Sequence, residues 1–168
     1  MKLLKFLLVV TLFSVLTACN NDDDTDAVVG TWNVASIEYG GPITSTNGMQ
    51  TFNGTFTGSA SNLNMSIELE EDGDYNSSGS YTLEVTTQIA GQTNITTQNI
   101  TGFMGNGTWV RTGDIIVTTD SNGNSGSATI LSVDDNQMTL EVNETESSVD
   151  NGFTTTTTIN ATYVFAKQ

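Results

Sequence analysis

Strict alternation of apolar and polar residues is the feature that most limits how this chain can fold. In residues 153–165 the bulky apolar side chains share one parity, while threonine and asparagine fill the other. Residues 63–69, 81–89 and 138–142 repeat the pattern. Because successive side chains of a strand point to opposite faces, this period predicts antiparallel strands with one buried face and one solvated face.

Turn sequences separate the alternating segments. Asp72-Gly73, Asn122-Gly123 and Asn151-Gly152 suit the positive φ of tight hairpins, and residues 134–136 form another polar break. The predicted strands lie near 30–39, 50–58, 62–70, 79–90, 92–102, 107–112, 114–119, 127–133 paired with 137–147, and 153–166. We therefore expect an all-β fold, an antiparallel up-and-down β-barrel of about 8–10 strands, because closure removes exposed sheet edges. A two-layer sandwich is the alternative.

The N-terminus has the organisation of a bacterial lipoprotein precursor. Residues 1–18 combine two lysines, an apolar run too short to span a bilayer, and small residues before Cys19. The segment Leu16-Thr17-Ala18-Cys19 resembles the lipobox, which implies cleavage before Cys19 and lipidation of its thiol. The alternative is an ordinary exported protein whose single cysteine lies there by chance.

Residues 19–27 are predicted to form an extended acidic tether between the lipid anchor and a domain at residues 28–168. An acidic run directly after the lipidated cysteine resembles the surface-export signal of Bacteroidetes lipoproteins. That resemblance implies anchoring in the outer membrane with exposure at the cell surface, and a simple solvated spacer is the other interpretation.

Composition excludes several classes of function. The 168 residues include 4 Lys and Arg against 19 Asp and Glu, a formal charge of −15, no His and one Cys. Removing residues 1–18 leaves two basic residues against 19 acidic ones, a net charge of −17. Such a surface repels phosphate backbones, so we predict no nucleic-acid partner. Imidazole chemistry and zinc sites of Cys and His are excluded, and we predict no metal and no cofactor.

Two Gly-x-Trp triplets give the chain a family resemblance. Gly30-Thr31-Trp32, just after the tether, is similar to the first signature of lipocalins, and the arrangement resembles the lipocalin-like domain lipoproteins of Bacteroidetes. The resemblance implies that Trp32 plugs the closed end of a barrel and that Gly30 lets the backbone pass near it. Lipocalins usually pack a cationic side chain from late in the chain across this tryptophan, a position that Lys167 could take and that the mid-chain Arg111 does not match. Gly107-Thr108-Trp109 resembles a later hairpin of the same family. Both tryptophans also fit the simpler interpretation of large core aromatics.

The resemblance implies a protein that binds or carries a small apolar molecule, with a structural or interaction lipoprotein of filled interior as the alternative. The candidate cavity residues are Phe52, Phe56, Met65, Ile67, Leu69, Tyr81, Leu83, Val85, Leu140, Val142, Tyr163 and Phe165. We predict no enzyme, because the densest carboxylate group, residues 68–74, fits a solvated hairpin end better than an active site. Residues 120–124 resemble the start of a calcium loop, but an Asn-Gly hairpin explains them with fewer assumptions.

Overall fold

The computed structural model describes residues 25–102 and 104–168, and the fold is almost entirely antiparallel strand. The predicted signal peptide and Cys19 lie outside the described residues. The elements are α1 (Thr25–Val28), β1 (Gly30–Thr46), β2 (Thr51–Leu69), β3 (Asp74–Ile89), β4 (Gln92–Thr101), β5 (Asn106–Thr112), β6 (Ile115–Asp120), β7 (Ser125–Val133), β8 (Gln137–Asp150) and β9 (Phe153–Lys167).

The nine strands form one sheet whose hydrogen bonds run round a closed ring. Each ring strand pairs with its neighbours in the order β1–β2–β3–β5–β6–β7–β8–β9 and back to β1. β4 lies outside this ring, since it pairs only with Ser80–Ile89 of β3. The joint between β3 and β5 is short, with three residue pairs beginning at Asp74 and Thr108. Two further backbone bonds reinforce it, from Trp109 N to Gly73 O (2.7 Å) and from Ser77 N to Gly105 O (2.7 Å).

The ring has a tall wall and a short wall. β1, β2, β3, β8 and β9 have 14 to 19 residues each, whereas β5, β6 and β7 have 6 to 9. The hairpins at residues 47–50, 90–91, 121–124 and 151–152 all point to one end, which we call the open end. The opposite end, which we call the Trp32 end, has the remaining turns and α1.

One face of the sheet forms the core. The inward side chains are mostly apolar, and Trp32, Leu69 and Met138 are buried furthest, together with Val28 of α1. The outward positions are mostly Thr, Ser, Asn and Glu, as the alternation predicted.

The predicted strands near 50–58 and 62–70 are one strand, β2, so the separation predicted there was wrong. The ladder with β3 shifts register between Ser61 and Asn64, and Asn62 has a φ of 51°. A bulge of this kind inserts an extra residue without ending the strand. Between these segments the apolar residues change from even to odd positions. A β-bulge and a turn both produce such a change, so the sequence pattern cannot tell one from the other.

β1 is longer than predicted, because Pro42 does not end it. Pro42 pairs with Thr55 of β2, while the ladder with β9 omits Gly41 and Pro42. The missing N–H of proline therefore falls where β1 and β9 make no regular pair. A Cβ on Gly41 would collide with the carbonyl oxygen of Thr158, so this close approach requires glycine.

The predicted turns are confirmed. Asn151 and Gly152 both have positive φ, at 49° and 78°, and Gly73 and Gly123 have φ values of 90° and 86°. The end of the predicted tether differs from expectation, since residues 25–28 form the single turn α1 instead of an extended chain.

Candidate functional site

The ring encloses a cavity of about 470 Å³. Its wall is formed by side chains from seven strands of the ring and by Met104 of the β4–β5 connection. The apolar part of the wall comprises Ile67, Leu69, Met104, Ile116, Ala128, Met138, Leu140, Val142, Ile159, Ala161 and Phe165. The polar part comprises Tyr39, Tyr75, Thr118, Asp120, Asn124, Ser125, Ser127, Tyr163 and Glu144.

Strand register gives the depth of each side chain. Trp32 pairs with Ile67 and Lys167, and Met138 pairs with Phe165, so the most apolar part of the wall lies at the Trp32 end. Glu144 pairs with Ile159 further along β8 and β9 towards the open end. Asp120 ends β6 at the open end of the short wall. The cavity therefore has an apolar floor and a mouth that bears carboxylates.

Space remains inside the ring because small residues occupy inward positions. Gly126 and Ala128 lie on β7, and Ala161 lies on β9 with 2% of its surface exposed. A larger apolar side chain at any of them would extend into the cavity. The sheet thus surrounds an interior that its own side chains do not fill.

The Trp32 end is closed by packing around a fully buried indole. Trp32 Nε1 donates to Val28 O at 2.8 Å, which joins α1 to the floor. Lys167 Nζ lies 5.0 Å from the centroid of the Trp32 ring, within the range of a cation–π contact. Gly30 has a φ of +129°, and a Cβ there would lie 3.1 Å from Lys167 Cε. The absence of a side chain at Gly30 therefore gives the lysine its path across Trp32.

A second tryptophan stabilises the short pairing between β3 and β5. Trp109 on β5 is 4% exposed, and its Nε1 donates to Glu70 O at 3.1 Å. Gly107 packs so closely on β6 that a Cβ would lie 2.0 Å from Thr119 O. These contacts hold β5 against β3 and β6. They matter most between β3 and β5, where only three residue pairs connect the strands.

Three tyrosine hydroxyls meet beside the cavity. Tyr39 Oη lies 2.7 Å from Tyr81 Oη and 3.2 Å from Tyr163 Oη. The rings of Tyr39 and Tyr163 pack edge to face with centroids 6.0 Å apart. Burial raises the pKa of all three hydroxyls, that of Tyr163 to about 12, so the cluster stays neutral at physiological pH. It gives the cavity hydrogen-bonding groups without charge.

The carboxylates at the mouth influence the tyrosines below them. Burial is the main reason that the pKa of Tyr75 is raised, and the charge of Asp120 raises it further. Glu144 adds to the raised pKa of Tyr163 in the same way, after the larger effects of burial and of the tyrosine neighbours. Both carboxylates also belong to the residues that line the cavity.

Asp120 is held in place by its own turn. Its side chain accepts hydrogen bonds from Asn124 Nδ2 (2.9 Å), Asn124 N (2.9 Å) and Asn122 N (2.8 Å). The bonds from Asn124, followed by those from Asn122, lower the pKa of this carboxyl, which keeps it charged. The residues that resemble a calcium loop thus form an Asx-type turn at the cavity mouth.

Six of the twelve candidate cavity residues line the cavity, namely Ile67, Leu69, Leu140, Val142, Tyr163 and Phe165. Met65 and Tyr81 are buried in the core without lining it. Phe52, Phe56, Leu83 and Val85 occupy the same face of the tall wall nearer the open end. Phe52 is 37% exposed there and packs on Phe153 with ring centroids 6.1 Å apart.

Sequence reasoning missed Tyr39 because of a second bulge. The β1–β9 ladder shifts register between Val34 and Ser36, so the inward parity changes from Trp32 and Val34 to Ile37 and Tyr39. Simple alternation from Trp32 places Tyr39 on the outer face. Because of the extra residue in the bulge, Tyr39 instead points inward, where its hydroxyl contacts those of Tyr81 and Tyr163.

The acidic residues 68–74 do not reach the cavity. The five carboxylates of this group are all exposed around the β2–β3 turn, namely Glu68, Glu70, Glu71, Asp72 and Asp74. The charge of Asp72 is the main cause that raises the pKa of Glu70. Across residues 25–102 and 104–168, no group of three or more His, Cys, Asp or Glu side chains could hold a metal ion. In that same part of the chain, no helix has the length and apolar character needed to cross a membrane.

No known protein family, curated protein or solved structure matches this chain.

Proposed function

We propose that this chain is an outer-membrane-anchored, lipocalin-like lipoprotein whose barrel binds or carries a small apolar molecule. The observation that carries the proposal is the cavity of about 470 Å³ inside the ring. This volume lies within the roughly 300–1,000 Å³ of small-molecule sites, and its mainly apolar wall with a few hydroxyl groups is typical of them. An unfilled interior favours binding over the alternative of a structural barrel packed with side chains.

Two details support the lipocalin-like part of the proposal. The hydrogen-bonded ring with mostly sequential neighbours fits an up-and-down barrel, with β4 as an added hairpin strand. The Gly-x-Trp triplet at residues 30–32, with Lys167 across the indole, is the arrangement that the family resemblance implies.

Anchoring rests on the sequence of the N-terminus. Cleavage before Cys19 and acylation of its thiol would attach the domain through several acyl chains, which makes membrane association stable. A net charge of −17 after cleavage disfavours adhesion to anionic lipid, so the domain would stand away from the bilayer and leave the cavity mouth accessible.

Native mass spectrometry of the chain purified from its own membranes tests the binding function. The expected result is a population that carries one small molecule per chain, released by organic solvent and absent after denaturation. A single ligand-free mass from several growth conditions, together with no binding of added apolar probes, would overturn the proposal.

A further inference from the structure

We infer that the cavity selects a cationic amphiphile, a molecule whose apolar body enters the ring and whose amine or quaternary ammonium head stays at the mouth. This inference rests on the proposed binding function and adds the chemical class of the ligand. It follows from the uneven distribution of charge between the two ends of the cavity.

The floor accepts only an apolar group. Leu69, Met138 and Phe165 line this part of the cavity and are each at most 4% exposed, and the buried Trp32 lies at the same end of the ring. Removing such a surface from water is favourable for a hydrocarbon body and costly for a charged group. A charged head must therefore remain nearer the open end.

The mouth bears negative charge. Asp120 and Glu144 both belong to the cavity wall, Asp120 on the short wall and Glu144 on the tall wall. Asp120 is fixed by three hydrogen bonds from its turn, so its carboxylate keeps its position relative to an incoming head. A cation between these walls is attracted by both carboxylates, and an anion is repelled by both.

Neither basic residue of the described chain offsets these charges. Lys167 contacts Trp32 at the floor, on the side away from the cavity mouth. Arg111 Nε donates to Gly113 O at the β5–β6 turn, which also lies at the Trp32 end. Within residues 25–102 and 104–168, the cavity wall contains no lysine or arginine.

The tyrosines complete a site for a cation. Tyr39 and Tyr163 line the cavity between floor and mouth, so they place uncharged aromatic side chains near the level of the head. Aromatic faces attract ammonium groups, and the attraction is stronger for groups partly removed from water. The net negative charge of the whole domain also steers cations towards it.

The test compares three molecules with the same ten-carbon body: decyltrimethylammonium, decanol and decanoate. The protein is the mature chain, residues 19–168, with Cys19→Ser, so that neither acyl chains nor the apolar residues 1–18 are present to bind the molecules tested. Affinities are measured at pH 7 by displacement of an uncharged fluorescent probe. We expect decyltrimethylammonium to bind about tenfold or more tightly than decanoate, with decanol between them, and the difference to shrink at high salt.

Two variants locate the effect. Glu144→Gln and Asp120→Asn each remove one charge, and the asparagine keeps an oxygen that can accept the two backbone hydrogen bonds from Asn122 and Asn124. Each should reduce the preference for the cation over the anion several-fold. Asp135→Asn is the matched control, because it removes the same charge from an exposed turn at the Trp32 end and should leave the preference unchanged.

The outcomes separate this inference from the proposed function. Equal binding of all three molecules, or tighter binding of decanoate, would overturn cation selection and leave a general apolar site intact. An unchanged preference in both Glu144→Gln and Asp120→Asn would also overturn it. Failure of all three molecules and of the probe to bind would overturn the binding function itself.

Discussion

Lys167 Nζ lies 5.0 Å from the centroid of the Trp32 ring, so the last strand of the ring closes over the first at the cavity floor. The contact is reinforced on both sides. Gln168 N donates to Thr31 O at 2.9 Å, and Lys167 N donates to Asn136 O at 2.8 Å. A ring of strands is stable only if its first and last strands stay together, and this contact lies at their junction.

Lys167→Met is expected to lower the free energy of unfolding by about 1–2 kcal/mol, because it keeps the aliphatic stem and removes the cation from the indole face. Urea denaturation followed by tryptophan fluorescence measures the change. Lys167→Arg preserves the charge and should remain within about 0.5 kcal/mol of the parent. Equal loss in both variants would show that the contact depends on shape and not on charge.

Gly30→Ala is expected to cost about 1–3 kcal/mol, since it forces a side chain into a positive φ and towards Lys167 Cε. Gly48→Ala is the matched control. Gly48 also has a positive φ, of +86°, but nothing lies within 4 Å of a Cβ there. The difference between the two variants reports the tight approach to Lys167 Cε together with the larger φ of Gly30. A cost at Gly30 no greater than that at Gly48 would contradict the role assigned to Gly30.

Stability should fall steeply in alkaline solution because of the tyrosine cluster. Tyr163 has a pKa of about 12 in the folded chain against 10 for an ordinary tyrosine, so the folded state holds more protons than the unfolded state between these values. The free energy of unfolding is therefore unaffected below pH 10 and falls as the pH rises from 10 to 12, by about 3 kcal/mol for Tyr163 alone. Denaturant titrations across this range, with phenolate absorbance recorded in parallel, measure the effect.

Tyr39→Phe is the companion variant, because Tyr39 is the hydroxyl that contacts both others. Loss of these two hydrogen bonds should destabilise the domain by about 1–3 kcal/mol at neutral pH. It should also shift the alkaline titration of the remaining tyrosines. A titration identical to that of the parent would mean that the three hydroxyls do not act as a group.

Cys19→Ser should abolish incorporation of labelled palmitate and leave residues 1–18 attached, because the Cys19 thiol is the proposed site of acylation and cleavage before it belongs to the same processing. Labelling with palmitate and the mass of the purified chain measure the two effects. A chain that stays membrane-bound and labelled after this substitution would exclude Cys19 as the anchor. Protease treatment of intact cells then reports which face of the membrane the domain occupies.

Much of the sheet could be predicted from local sequence, because alternation and turn chemistry both act within a few residues. The strands near Phe153–Lys167 and Gln92–Thr101 and the Asn151-Gly152 hairpin are examples. That the two predicted segments form the single strand β2 could not be foreseen. Asparagine at position 62 is compatible both with a turn that ends a strand and with a β-bulge inside one.

The cavity was predictable only in part for the same reason. Ile67, Leu69 and Phe165 follow the alternation of their strands and line the cavity. Tyr39 does not, because the bulge at Val34 and Ser36 changes which parity faces inward. Phe52 is on the expected face of β2, but it lies nearer the open end than the short wall extends and is partly exposed. The length of one strand compared with that of the strands across the ring is not determined by its local sequence.

The most direct test of the central claim is a titration with an uncharged apolar fluorophore such as N-phenyl-1-naphthylamine, comparing the mature Cys19→Ser chain, residues 19–168, with a version that also carries Ala128→Phe. Ala128 lines the cavity, so phenylalanine there should occupy it, while Ala166→Phe at an exposed position of β9 is the control. The account predicts saturable binding of one probe per chain, retained by Ala166→Phe and lost by Ala128→Phe in a protein that remains folded. Equal binding by all three chains, or no binding by any, would contradict it.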